Sequence, residues 1–221
     1  MKTEVKKLFL ENLTLKIEAL VNLEETIDRL FLQFQSERKP ELLEKFCPYF
    51  AQIWPSSIAL SKHLLKYPDR VQGCTVLELG CGLAIPSFVA SFLSAKKIIA
   101  RDFHPQVKEF LDRNFALNPK LNFEFEELDW TQPSSGERKF EVILGSDTLY
   151  EKSHPNELAK SIDDLIAPNG VLLLSDPGRP YLNPFLKALK SIHHFEEKLF
   201  TYTIEAENKS HDVFIYECRF A

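Results

Sequence analysis

The sequence has no Cys-x-x-Cys pair: Cys47, Cys74, Cys81 and Cys218 are scattered, and no histidine cluster stands at ligand spacing. No metal site is therefore implied, and the four read as reduced thiols of a cytoplasmic protein. It has no run of about 18 apolar residues, so no membrane span is expected. The apolar run after Lys2, Lys6 and Lys7 stops at Glu11, too soon for a secretory signal. It has no excess of positive charge: 27 Lys and Arg face 32 Asp and Glu, for a net charge of −5 and a pI near 5.7. Phosphate binding needs clustered cations, so a dedicated nucleic-acid surface is not expected. None of the six histidines pairs with a nucleophile. His104 and His154 precede prolines and read as turn residues, and His193-His194 as a helix end.

What remains is ordinary globular composition over 221 residues, 44% hydrophobic and 27% charged, enough for one domain with a full core and a small appendage. The chain is organised around TVLELGCGLAIPSFVAS, Thr75 to Ser91. A short apolar run, Val76 to Leu79, meets Gly80 and Gly82. Apolar residues then return at helical spacing, with Ile85, Phe88, Val89 and Phe92 on one face. This is strand, tight turn, helix. The glycines allow close backbone approach to a ligand, and the free N–H groups of the following helix are expected to point at it. A dinucleotide turn wants a third glycine where this chain has Ile85. The order here is Glu78-x-Gly80-x-Gly82-x-Ala84; the alternative is a packing turn without ligand.

Upstream, Leu8 to Leu20 reads either as a strand, on the alternation of Leu13-Leu15-Ile17, or as a helix, with the strand favoured. Leu23, Ile27, Leu30, Phe31 and Phe34 fall at helical steps, with Glu24, Glu25 and Asp28 at the helix start. This region reads as a packing arm that caps the sheet. Pro48 to Ser57 is a proline-bracketed aromatic segment that either staples the core or folds over the site's mouth; it leads into a helix over Ile58 to Leu65 with Ser56 or Ser57 as N-cap. Downstream, strands are expected over Lys97 to Asp102, Asn122 to Leu128, Phe140 to Ser146 and Val171 to Ser175, with helices over Val107 to Leu117, His154 to Ile166 and Pro184 to Ile192. Glu124, Glu126 and Glu127 read as a solvated strand face. Thr131 to Lys139 reads as a loop, Pro168-Asn169-Gly170 as a helix stop, and the last two strands, Phe195 to Ile204 and Val213 to Phe220, as a closing pair.

Helices alternating with apolar strands predict an α/β, Rossmann-like, doubly wound and mostly parallel sheet with helices on both faces. Ligands of such sheets sit beyond the strands' carboxyl ends, where Gly80, Asp102, Asp129, Asp147 and Asp176 all fall. Asp102, about twenty residues past the glycines, is placed to accept from ribose hydroxyls. Asp129 with Trp130 suits a purine, the acid accepting from an exocyclic amine and the indole covering its face. Arg179 is read as pairing with Asp176 or neutralising an acidic substrate.

From Pro48 to about Arg179 the sequence resembles the family 16 group of seven-strand methyltransferases. The matching pieces are Trp54-Pro55-Ser56, Glu78-Leu79-Gly80-Cys81-Gly82, Asp102, Asn114 and Asn118, Leu128-Asp129-Trp130 and Asp147-Thr148-Leu149-Tyr150. PYFAQIWPSS and Asp176-Pro177-Gly178-Arg179 look most like the branch acting on lysines of the electron transfer flavoprotein β subunit. Ala84, Leu83 and Phe50 depart from the family's usual residues.

The resemblance implies a seven-stranded sheet in a domain over 48–221, preceded by an arm over 1–47. It implies S-adenosyl-L-methionine as cofactor, held by Trp54, Glu78, Gly80, Cys81, Gly82, Asp102, Asp129, Trp130 and Ser146. Asp147 and Tyr150 would then serve the acceptor, a lysine of a protein substrate, with a small-molecule amine or pyridine as the alternative.

Overall fold

The computed structural model describes residues 1–131, 138–206 and 208–221, without the side chains of 44 and 45. Most of the loop expected between Thr131 and Lys139 lies outside the described residues.

Seven strands form one sheet. Its parallel part comprises β3 (Thr75–Leu79), β4 (Lys97–Asp102), β5 (Glu124–Glu127), β6 (Phe140–Ser146) and β7 (Ile166–Asp176). The antiparallel pair β8 (Phe195–Ala206) and β9 (Lys209–Phe220) completes it, in the order β5-β4-β3-β6-β7-β9-β8. β3 and β6 lie inside the parallel part, which is why Val76 to Leu79 and Val142 to Leu144 are buried throughout, Glu78 included. Alternate residues serve opposite faces. Val76, Ala100, Val142 and Leu173 join one core with α3 (Pro55–Lys66), α4 (Ile85–Phe92) and α5 (Val107–Leu117). Leu77, Ile99, Ile143 and Leu172 join the other with α6 (His154–Leu165) and α7 (Leu182–Ile192).

The arm holds more structure than its pattern announced. β1 (Thr3–Leu10) pairs antiparallel with β2 (Leu13–Leu20), and α1 (Leu23–Ser36) and α2 (Leu42–Phe46) follow. β2 buries Leu13, Leu15, Ile17 and Ala19 in the same core as α5. Two asparagines one turn apart, Asn114 on α5 and Asn118 at its C-cap, fix the β2 backbone. Asn114 Oδ1 accepts from the Glu18 N–H at 2.7 Å, and Asn118 Oδ1 accepts from that of Lys16 at 3.1 Å while its amide donates to the Lys16 carbonyl at 2.8 Å. These motif residues therefore seat the arm.

Other boundaries moved for local reasons. α3 begins at Pro55, with Trp54 as N-cap; proline at the first helical position needs no donor partner, so Ser56 and Ser57 fall inside the helix. α6 stops at Leu165 and the chain passes directly into β7, so Pro168-Asn169-Gly170 lies in that long strand, where the register with β6 shifts. Phe92 is exposed rather than on α4's packed face. Glu126 is not simply solvated: it pairs with Arg101 at 2.7 Å and Arg138 at 2.9 Å.

Candidate active site

A cavity of about 530 Å³ opens at the carboxyl ends of β3, β4 and β6. Gly80, Cys81 and Gly82 come from the turn after β3, Asp102 from the end of β4, and Ser146, Asp147 and Tyr150 from the end of β6 and beyond; Trp54 and Trp130 complete the set. Of the strand-end and turn residues singled out from sequence, Glu78, Asp129, Asp176 and Arg179 do not line it. The opposite wall, which the sequence reading did not assign to the site, belongs to the arm: Ile27, Pro40, Glu41, Leu43 and Cys47.

The turn requires its glycines. Gly80 and Gly82 have φ of +61° and +50°. A Cβ on Gly82 would stand 2.8 Å from the Phe50 carbonyl oxygen, and one on Gly80 would stand 2.7 Å from the Trp130 ring. Ala84 also takes left-handed φ, at +52°, a conformation that favours glycine. Gly82→Ala is expected to destabilise the fold by about 2 kcal/mol, from the left-handed backbone and the contact with an immovable carbonyl. Thermal denaturation checks this; an unchanged midpoint would sink it.

The turn is braced from behind, and this corrects two expectations. Glu78 is fully buried, and its Oε2 accepts from the Ser87 N–H at 3.0 Å and from the Ser87 hydroxyl at 2.5 Å. It ties β3 to the first turn of α4 rather than facing a ligand. With Pro86 lacking a donor and Ser87 committed to Glu78, α4 has few N–H groups left for the cavity. Burial raises the Glu78 carboxyl to about 8. Its Oε1 has no hydrogen-bond partner among the described residues. Asp102 also braces the turn, with Oδ2 accepting from Gly82 N–H at 2.9 Å and Oδ1 from His104 N–H at 3.0 Å. It nevertheless borders the cavity, where each oxygen keeps a second lone pair. Burial pushes its carboxyl up as well.

Asp147 has φ +57°, donates its N–H to the Ser175 carbonyl at 3.0 Å and is buried. Arg179 Nε and Nη2 both donate to its Oδ1, at 3.0 and 2.5 Å. Asp176, the partner favoured for Arg179 from sequence, instead accepts the backbone N–H groups of Gly178 and Arg179 at 2.7 and 2.6 Å. The side-chain pairing was invisible because it joins two strand ends that only the sheet order makes neighbours.

Tyr150 packs edge-on to His154 at 4.5 Å, and His154 Nδ1 donates to the Thr148 carbonyl at 2.8 Å, fixing the segment after Asp147. Burial raises the Tyr150 phenol well above its ordinary value, so it stays protonated. Trp130 packs edge-on to His154 at 5.3 Å. Asp129 takes the turn role: its Oδ1 accepts from Thr131 N–H at 2.8 Å. Trp54 donates its indole N–H to the Tyr49 carbonyl at 3.0 Å. Thr148 Oγ1, at the cavity wall, is buried without a partner among the described residues.

A family model described as lysine methyltransferase matches residues 48–214. The electron transfer flavoprotein beta subunit lysine methyltransferase of Mus musculus is 32% identical over 158 residues, 71% of this chain and 59% of that protein. The protein N-terminal and lysine N-methyltransferase EFM7 of Candida glabrata is 31% identical over 144 residues, 59% of this chain and 56% of the relative. This chain thus spans under two thirds of the length of the curated relatives it matches. Among solved structures, the T. thermophilus 16S rRNA N2 G1207 methyltransferase RsmC, in complex with AdoMet and guanosine, superposes with a TM-score of 0.67 at 13% identity, covering 99% of this chain and 51% of that one. The ribosomal protein L11 methylase of Lactobacillus delbrueckii gives 0.56 at 19% identity, covering 75% and 79%.

Proposed function

The chain belongs to the lysine methyltransferase family, and from that membership we propose that it transfers the methyl group of S-adenosylmethionine to lysine side chains of a protein. The observation that carries this reading is the convergence of the Gly80–Gly82 turn and the Asp147-x-x-Tyr150 segment on one cavity. The cavity suits the cofactor. Its size falls in the small-molecule range of about 300–1,000 Å³, and Gly80, Gly82, Asp102 and Trp130 all line it. Asp102 would hold the ribose hydroxyls, Trp130 one face of the base, and Trp54 the front, with Cys81 and Ser146 along the walls. Glu78 serves indirectly by holding the turn in shape, and Asp129 by shaping the turn that carries Trp130. When bound, the cofactor supplies an electrophilic methyl group on a sulfonium.

The acceptor then needs a free lone pair aligned at about 3–3.5 Å, and most of the acceleration comes from that alignment. A lysine amine of pKa about 10.4 is mostly protonated at pH 7, a deficit of roughly 4.6 kcal/mol that the site must offset. A pocket shielded from water lowers the amine's pKa. Asp147, with the Ser146 carbonyl, accepts hydrogen bonds from the neutral amine and aims its lone pair. Tyr150 walls the channel and offers its hydroxyl. The arm closes the other side, so residues 1–47 and the domain over 48–221 form one enclosure.

Two measurements test the proposal. S-adenosylhomocysteine at one hundred times its dissociation constant is expected to stabilise the fold by about 2.7 kcal/mol, and NAD to do nothing. Radiolabelled S-adenosylmethionine added to lysate of the source organism is expected to label a protein band that yields methyllysine on hydrolysis. Label confined to the small-molecule fraction would indicate a small amine acceptor instead.

A further inference from the structure

Arg179 does not line the cavity, yet its guanidinium grips the residue placed against the acceptor. The turn after β7 aims it. Asp176 Oδ1 ties down the Gly178 and Arg179 N–H groups, and a Cβ on Gly178, at φ +87°, would stand 3.2 Å from the Phe214 ring. Both guanidinium nitrogens meet Oδ1 alone, and Oδ2 has no hydrogen bond to any described residue. The Asp147 carboxylate is thus neutralised and oriented from behind while one oxygen remains for a donor in the cavity.

This arrangement bears on a conflict in the chemistry. A carboxylate beside an amine helps to orient it but also holds its proton, since an opposite charge within about 4–6 Å favours the ammonium. Methyl transfer needs the reverse. The proton must leave to solvent; the freed lone pair then forms the N–CH3 bond as the S–CH3 bond breaks, its electron pair staying on sulfur and the positive charge moving to nitrogen. We propose that Arg179 is a positioning residue for this reaction: by neutralising and pinning Asp147, it lets the carboxylate orient the acceptor lysine without trapping the lysine's proton. The inference rests on the lysine reading above.

Other charges surround the pair. Asp176 stands behind it, Asp102 and His104 lie at the end of β4, Glu151 follows Tyr150, and Glu41 and Tyr49 approach from the arm side. The buried thiols of Cys47 and Cys81 are held neutral. All of these are common to wild type and variant, so a difference between the two isolates Arg179.

The test compares wild type, Arg179→Gln and Arg179→Lys, using radiolabelled S-adenosylmethionine and lysate protein raised until the rate no longer increases, where initial rates of methyllysine formation follow kcat and their pH profile reports the acceptor amine in the complex. In Arg179→Gln the apparent pKa of the pH profile is expected to rise by about one unit. Labelling then falls about tenfold at neutral pH, and the gap narrows above pH 9. Arg179→Lys, which keeps the charge, is expected to restore the wild-type profile. The melting shift with S-adenosylhomocysteine is expected to be equal in all three. Parallel profiles in Arg179→Gln and wild type, or loss of the cofactor shift in the variant, overturn this inference alone. No methyllysine from the wild-type enzyme at any pH overturns the lysine reading, and the inference with it.

Discussion

Replacing Asp147 with asparagine is expected to lower kcat/KM for methyl transfer by about 10²–10³-fold, the loss typical of removing one preorganised polar contact at a reacting centre. Asparagine is the informative choice. It tolerates the left-handed backbone at φ +57°, so the bond from the Asp147 N–H to the Ser175 carbonyl survives and the end of β6 keeps its path. Arg179 loses its partner, but its side chain is 31% exposed and can turn to water at small cost. The Gly80–Gly82 turn and Asp102 are untouched, so the melting shift produced by S-adenosylhomocysteine should persist within error. Measuring both properties on one preparation makes the prediction strict. If transfer and cofactor stabilisation disappear together, Asp147 shapes the fold instead of serving the acceptor.

The second large effect lies behind the turn. Glu78 is expected to be protonated in the folded protein up to about pH 8 and in the unfolded chain only up to about pH 4.5. Between those limits the folded state binds one more proton, so its contribution to stability is fully present below pH 4.5 and declines as pH rises, by at most about 1.4 kcal/mol per pH unit. The full window amounts to about 5 kcal/mol. His63 opposes it over part of that range. Burial lowers its imidazole to about 4 despite Glu217 at 4.0 Å, so His63 makes the fold more stable as pH rises from 4 to 6.5. These two contributions nearly cancel from pH 4.5 to 6.5, and Glu78 acts alone from 6.5 to 8. Glu78→Gln isolates it: the variant's stability relative to wild type should climb steadily between pH 4.5 and 8. Denaturant unfolding at pH 5, 6.5 and 8 checks the slope, and a difference that does not change with pH would refute it.

The parallel sheet was legible because its strands are buried on both faces and alternate with helices whose apolar spacing is unambiguous. β4, α5 and β6 fall at the residues read from sequence. The family assignment was legible for a related reason: a close-approach turn and strand-end acids are sequence-local devices. What escaped was decided at longer range. β1 has exposed Val5 and Phe9 among lysines, so its pattern carries little burial signal; pairing with β2 makes it a strand. The role of Glu78 depends on a serine nine residues away on the next element, and Ser87 alone gives no hint of it. The arm's wall of the cavity is built from Ile27, Pro40 and Leu43, residue types that read as packing wherever they occur.

The asparagine clamp on β2 has a consequence for biosynthesis. The hairpin leaves the ribosome before α5, and the amides that grip Lys16 and Glu18 lie 102 and 96 residues later. At about 5–20 residues per second, it waits roughly 5–20 s for its seat to be made. An isolated two-stranded hairpin is marginally stable in water, so Leu13, Leu15 and Ile17 spend that interval without the helix that will cover them. The nascent chain therefore carries a sticky segment until α5 emerges, and a chaperone that shields newly made apolar stretches would find a target there.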